Sequence, residues 1–223
     1  MATNILGVSN DELISRLLTI LAGDGGASDI DAEMLKQQVV ANASRRMEAA
    51  AYLIGDERTE YFVHFCSLLL EMYRVLERTA GQAEALDLVR QILLEPIRAT
   101  VKDWLARRFD IDQTEPAAAF GKVRLNFKSR GEAVVGDSFR YEVCEDDEAH
   151  HFVHIKKCFF NDFFRNQGAP ELTPVVCEFD NFWAEEMNSG PYNVRFKREG
   201  MLSLGDDACR FHFWRAEKAG SET

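Results

Sequence analysis

The stretch FRYEVCEDDEAHHFVHIK, residues 139–156, decides the fold, because here the spacing of apolar residues shortens from three and four to two. Phe139, Tyr141 and Val143 alternate with Arg140, Glu142 and Cys144. Glu145 to Glu148 reads as a charged turn, and His150 to Lys156 resumes as a second strand, which predicts a β-hairpin. Two further strands are expected over Val194 to Glu199 and Cys209 to Arg215, joined through Met201 to Leu204 and the turn Gly205-Asp206-Asp207. Between the two pairs, a short helix from about Cys158 to Gln167 should stop at Gly168. Another should run from about Glu171 to Met187, after the Ala169-Pro170 break.

Upstream of the hairpin the pattern is helical. Asn10 is placed to cap a helix carrying Leu13, Ile14, Leu17, Leu18 and Leu21, with Gly23 to Gly26 ending it. A second helix is expected from about Ile30 to Ile54, and a third from near Glu57 to Gly81 with Asp56 as its cap. A fourth, from about Ala83 to Phe109, holds Pro96 in its interior and should kink there. Ala117 to Val135 reads as a helix with a poor fit at Gly121 and Gly131. The expected fold class is α+β: an N-terminal helical half packed with a C-terminal region of about four antiparallel strands plus helices. Residues 1–112 form the helical region and 113–223 the α+β region, in one compact unit.

Charge and composition restrict the function. A net charge of -11 opposes phosphate backbones and anionic lipid, so neither nucleic acid nor a membrane is an expected partner. With 46% hydrophobic and 28% charged residues the chain has the make-up of a folded domain. No run of uncharged apolar residues approaches the roughly 20 that a membrane helix needs. Met1 to Asn10 lacks the features of a secretory signal, and the five cysteines are not spaced as a disulfide framework; a cytoplasmic protein with free thiols is expected. There is no Gly-x-Ser-x-Gly turn and no glycine-rich phosphate cradle after a strand, which removes serine-hydrolase, P-loop and dinucleotide readings.

What remains is sulfur and carboxylate. Cys144, Cys158, Cys177 and Cys209 crowd into the region that also holds His150, His151, His154 and His212. On a helix, Cys177 shares a face with Asp180 and Asn181, three and four positions on, which would present a thiol, a carboxylate and an amide together. A carboxylate beside a thiol disfavours the thiolate, so Asp180 suits proton transfer or the binding of a cationic amidine. The plainer possibility is that Asp180 pairs with an arginine and Cys177 packs inward. Zinc ligands usually come in pairs two to four residues apart. Cys158, Cys177 and Cys209 are not so spaced, and His151 and His154 point to opposite faces of a strand, so no metal set is assigned and no cofactor is expected.

Taken together, His154-Ile155-Lys156-Lys157-Cys158, Phe163-Phe164, Gly168-Ala169-Pro170-Glu171-Leu172 and Cys177-Glu178-Phe179-Asp180 resemble the central signature of the L-2-amino-thiazoline-4-carboxylic acid hydrolase family. Arg195-Phe196-Lys197-Arg198 through Gly205-Asp206-Asp207 to Cys209-Arg210-Phe211-His212-Phe213 is similar to its closing hairpin, with Arg210 where an acidic residue often stands. The resemblance implies hydrolytic opening of a cyclic amidine at a non-peptide carbon–nitrogen bond, giving a carbamoyl-cysteine type product. It carries Cys177, Asp180, Cys158 and Cys209 over as catalytic residues, with Glu171 beside them; Glu171, Asn181 and His154 are the residues expected to bind the substrate. Two routes stay open: addition of a cysteine to the amidine carbon, or direct attack by water with Asp180 as base. The competing reading is a noncatalytic small-molecule binding or sensing module with structural cysteines, its helical half serving as a homodimer surface.

Overall fold

Four strands build one antiparallel sheet in the order β1-β2-β4-β3: β1 (Phe139–Asp146), β2 (His150–Cys158), β3 (Val194–Glu199) and β4 (Cys209–Arg215); burial alternates along β2, β3 and β4 and in the first half of β1, which is exposed from Glu142 onward. The fold class is therefore α+β, as the change of period implies. The computed structural model describes residues 9–22 and 32–216 of the chain. The expected stop at Gly23 to Gly26 and the start of the second helix at Ile30 lie outside the described residues. No described helix is long and apolar enough to cross a membrane.

The chain divides into two compact units. One comprises the described residues up to Arg98 together with Phe163–Val176; the other comprises Ala99–Asp162 and the described residues from Cys177 onward. In the first unit, α1 (Asn10–Ala22), α2 (Ala32–Ala49), α3 (Glu57–Ala80) and α4 (Gln82–Arg98) follow one another. The cap of α1 is Ser9 rather than Asn10: the Ser9 hydroxyl accepts the Glu12 N–H at 3.2 Å, and Asn10 is the first helical residue, its amide 3.4 Å from His64. Asp56 caps α3 through the Thr59 N–H at 2.8 Å. Phe62, Phe65, Leu69, Met72 and Leu76 of α3 are buried, as their spacing requires. Glu71 lies among them, only 4% exposed, and is compensated by Arg46, by Arg74 at 3.8 Å and by the Asn42 amide at 3.3 Å.

The expected fourth helix is two. Pro96 stays inside α4, and the chain breaks beyond it at Ala99 and Thr100 before α5 (Val101–Phe109), which belongs to the second unit. There α5, α6 (Ala119–Val135) and α9 (Phe179–Ser189) surround one face of the sheet. Trp183 and Phe213 are about 1% exposed or less, with Phe127, Phe196 and Phe211 around them. Each such ring removed from water stabilises by roughly 2 kcal/mol or more. Asp147 makes the hairpin turn, its carboxylate accepting the Ala149 and His150 N–H groups at 2.7 Å; these bonds push its pKa down to about 2.

The expected helix from Glu171 to Met187 is divided into α8 (Leu172–Cys177) and α9, and the preceding α7 (Phe159–Asn166) starts one residue after β2 ends at Cys158. Glu178, between α8 and α9, keeps right-handed dihedrals (φ -64, ψ -20), and Cys177, Asp180 and Asn181 all meet the Arg198 guanidinium.

Candidate active site

Strand register sets the site. In β4, Cys209, Phe211 and Phe213 face inward; in β2, Val153 and Ile155 do; in β3, Val194, Phe196 and Arg198 do. Ile155 pairs with Cys209, so the end of β2, where Cys158 sits, meets the start of β4. Arg198 opposes Phe211 near the end of β3. One end of the inner face therefore carries two thiols and a guanidinium, and α9 packs against β3 there.

Arg198 organises this corner. Its Nη1 donates to the Asp180 carboxylate at 2.6 Å and to the Cys177 carbonyl at 2.9 Å, and its Nη2 approaches the Asn181 amide oxygen at 3.3 Å. The other Asp180 oxygen accepts the Trp183 indole N–H at 3.0 Å. Both oxygens are thus fixed in direction by donors on different elements. The Arg198 and Asp180 side chains are 11% and 24% exposed, so the pair is largely desolvated while the carboxylate keeps some access. Burial raises the Asp180 carboxyl above its ordinary value, with Arg198 and the two hydrogen bonds pulling the other way.

The three thiols feel one another and the carboxylate. Cys177 is half-buried, with its sulfur 4.0 Å from the Ser203 hydroxyl; burial, then Asp180, then Cys209 push its thiol up to about 12. Cys158 is buried and raised well above the usual thiol value by burial and then by Cys177, although the Asn161 and Phe160 N–H groups at the start of α7 oppose the shift. Cys209 accepts the Leu202 N–H at 3.3 Å and is raised by burial. With their pKa values raised, these thiols are protonated near pH 7. Cys66 is buried in α3 and Cys144 is exposed on β1.

The remaining expected residues divide. Asn181 joins the corner through Arg198. His154 stands on the outer face of the sheet, its Nε2 3.3 Å from that of His212, so the sheet itself separates it from the inward-facing cysteines. Glu171 belongs to the first unit, where it accepts the Tyr73 hydroxyl at 2.8 Å and the Gln82 amide at 3.4 Å. His151 faces inward, as alternation requires, and holds the Asp146 carboxylate at 2.9 Å. Among the described residues, one group has metal-ligand spacing: Glu145, Asp147 and His150 at the hairpin turn, within 4.8 Å of one another. They are surface groups already engaged with the turn.

Sequence reasoning did not single out Arg198, Ser203, Tyr141 or Arg108 as site residues. Tyr141 faces inward from β1; burial and, more weakly, Cys158 and Asp180 push its phenol up to about 12, against the pull of Arg108. Gly131 carried the available signal: a Cβ there would come 2.7 Å from Arg108 Nη2 and 3.0 Å from the Tyr141 hydroxyl. A glycine within a helix marks such close approach.

Residues 58–213 match a family model described as L-2-amino-thiazoline-4-carboxylic acid hydrolase. No curated protein and no solved structure gives a significant match to the chain.

Proposed function

Given that the chain belongs to the L-2-amino-thiazoline-4-carboxylic acid hydrolase family, we propose that it hydrolyses a small cyclic amidine at a non-peptide carbon–nitrogen bond, with Asp180 as the base that activates water. The observation that carries this choice is the contrast within the corner. The carboxylate of Asp180 is held in a fixed direction by Arg198 and Trp183, while the adjacent Cys177 thiol is pushed up to about 12. A carboxylate with one desolvated, partly exposed side can take a proton from water; a thiol so hard to ionise is a poor attacker.

In the reaction, the water oxygen bonds to the amidine carbon as its proton passes to Asp180. The ring carbon–nitrogen bond then breaks as Asp180 returns this proton to the departing nitrogen, which leaves as an amine; the new hydroxyl gives its own proton to the freed carboxylate, and its O–H electron pair makes the former amidine carbon a carbonyl. The neutral thiols of Cys177 and Cys209 can donate to the developing oxyanion. The test is incubation of purified protein with L-2-amino-thiazoline-4-carboxylic acid and detection of the ring-opened carbamoyl product. Saturable binding of that compound without product would favour a noncatalytic binding module, a reading consistent with all three thiols lying above their ordinary range. A trapped covalent adduct on a cysteine would favour the nucleophile route instead.

A further inference from the structure

Arg108 is a cation with no carboxylate partner among the described residues. Its Nη1 donates to the Asn126 carbonyl at 3.0 Å and its Nη2 to the Phe127 carbonyl at 2.6 Å, and the guanidinium lies over the rings of Phe109 and Phe127 at 5.4 and 5.7 Å. Among the described residues no carboxylate pairs with it, and its charged neighbour is another cation, Arg130. Burial accordingly draws its pKa below the usual guanidinium value. A half-buried guanidinium with three of its five donors uncommitted, and no counter-charge among the described residues, is a ready partner for an anionic ligand.

Tyr141 connects it to the candidate active site. The missing side chain at Gly131 lets Arg108 and the Tyr141 hydroxyl crowd the same point, and Tyr141 in turn feels Asp180 and Cys158. In the sheet Tyr141 stands opposite Ile155 and Ile155 opposite Cys209, so within the second unit Arg108 lies beside a strand position in register with the thiol corner.

We propose that Arg108, with Tyr141 beside it, holds an anionic group of the substrate, so that the site selects a zwitterion whose amidinium faces Asp180 and whose carboxylate faces Arg108. This rests on the hydrolytic reading above. It makes Arg108 a specificity-determining residue, because a planar guanidinium meets a carboxylate through two parallel hydrogen bonds that an uncharged analogue cannot make.

The experiment compares L-2-amino-thiazoline-4-carboxylic acid with 2-amino-2-thiazoline, which lacks the carboxylate, in the wild type, Arg108→Met, Arg108→Lys and Tyr141→Phe. The wild type should favour the acid by roughly 100-fold in kcat/KM, since a site built to hydrogen-bond a group rejects the analogue lacking it. Arg108→Met should abolish that preference mainly through KM, leaving turnover of 2-amino-2-thiazoline within about threefold. Should Arg108→Met fail to fold, Arg108→Lys keeps the charge without the fork and should lose about tenfold of the preference. A parallel fall for both compounds, or an undiminished preference in the folded Arg108 variants, overturns the proposal. If the wild type turns over neither compound, the hydrolytic reading fails by itself. Calorimetric binding of the two compounds then decides the anion site: selective binding of the acid that is lost in Arg108→Met supports it, and equal binding of both overturns it.

Discussion

Arg198 on β3 donates to the side chain of Asp180 at 2.6 Å across 18 positions of sequence, and this ion pair ties α9 to the sheet. The same guanidinium holds the carbonyl of Cys177, so one residue sets both the direction of the carboxylate and the position of the nearest thiol.

Replacing Arg198 should therefore damage the site more than the fold. Arg198→Met leaves Asp180 with Trp183 as its remaining donor and a carboxylate that is largely out of water, which costs about 3 kcal/mol in stability. With the pull of Arg198 removed, the Asp180 carboxyl should rise further. The acidic limb of the pH–rate profile should then move to higher pH than in the wild type, as read from kcat/KM between pH 4 and 8. An unmoved limb would detach Asp180 from the titration.

Thiol labelling separates the five cysteines. Cys144 is exposed on β1, whereas Cys66, Cys158 and Cys209 are buried and Cys177 is half-buried with its thiol pushed up to about 12. Brief treatment with iodoacetamide at pH 8 should add one group, at Cys144, and the others should react only in denaturant. Peptide mapping by mass spectrometry reads this directly. Rapid labelling of Cys177 would mean an ionised thiol and would revive it as the attacking group.

Glu71 is the main buried charge of the first unit. Glu71→Ala strands Arg46 and Arg74 and should lower stability by about 3–5 kcal/mol, seen as a lower urea midpoint. Glu71→Gln keeps hydrogen-bonding capacity and should cost less.

Stability should fall on mild acidification. His151, His154 and His212 have folded pKa values below the ordinary 6.5, in each case chiefly because burial disfavours the charged ring. Below that pH the unfolded chain binds these protons more readily, so their contribution is complete above about pH 6.5 and is lost as pH drops through the folded values. Asp146 and Asp147, with lowered pKa values, act in the same direction at lower pH, losing their share only as pH falls below the usual carboxylate values. The urea midpoint should drop between pH 7.5 and pH 5.5, and His151→Gln should drop less. An identical slope in that variant would remove His151 from the explanation.

β2, β3 and β4 were legible because each is half-buried: inward Cys209, Phe211 and Phe213 alternate with Arg210, His212 and Trp214, and that period exists in the sequence itself; β1 shows the period too, although its Val143 is exposed. The helix ends were less so. Ser9 and Asn10 are equally good caps on chemical grounds, and the geometry selects Ser9. The division at Glu178 leaves no trace because that residue keeps helical dihedrals. Within the candidate site, the local group Cys177, Asp180 and Asn181 could be read from helical spacing. Arg198 and Ser203 could not, since their nearness to Asp180 and Cys177 is made by strand register and a turn far along the chain. His154 shows the converse: near Cys158 in sequence, it is turned to the other face by the strand's alternation.

The central claim is that Asp180, rather than a cysteine, starts the chemistry. Turnover of L-2-amino-thiazoline-4-carboxylic acid by Asp180→Asn and Cys177→Ala, measured side by side, tests it most directly. The account predicts a loss on the order of 1,000-fold in kcat for Asp180→Asn and no more than about tenfold for Cys177→Ala. Near-normal turnover by Asp180→Asn, or complete inactivity of a folded Cys177→Ala, would contradict it.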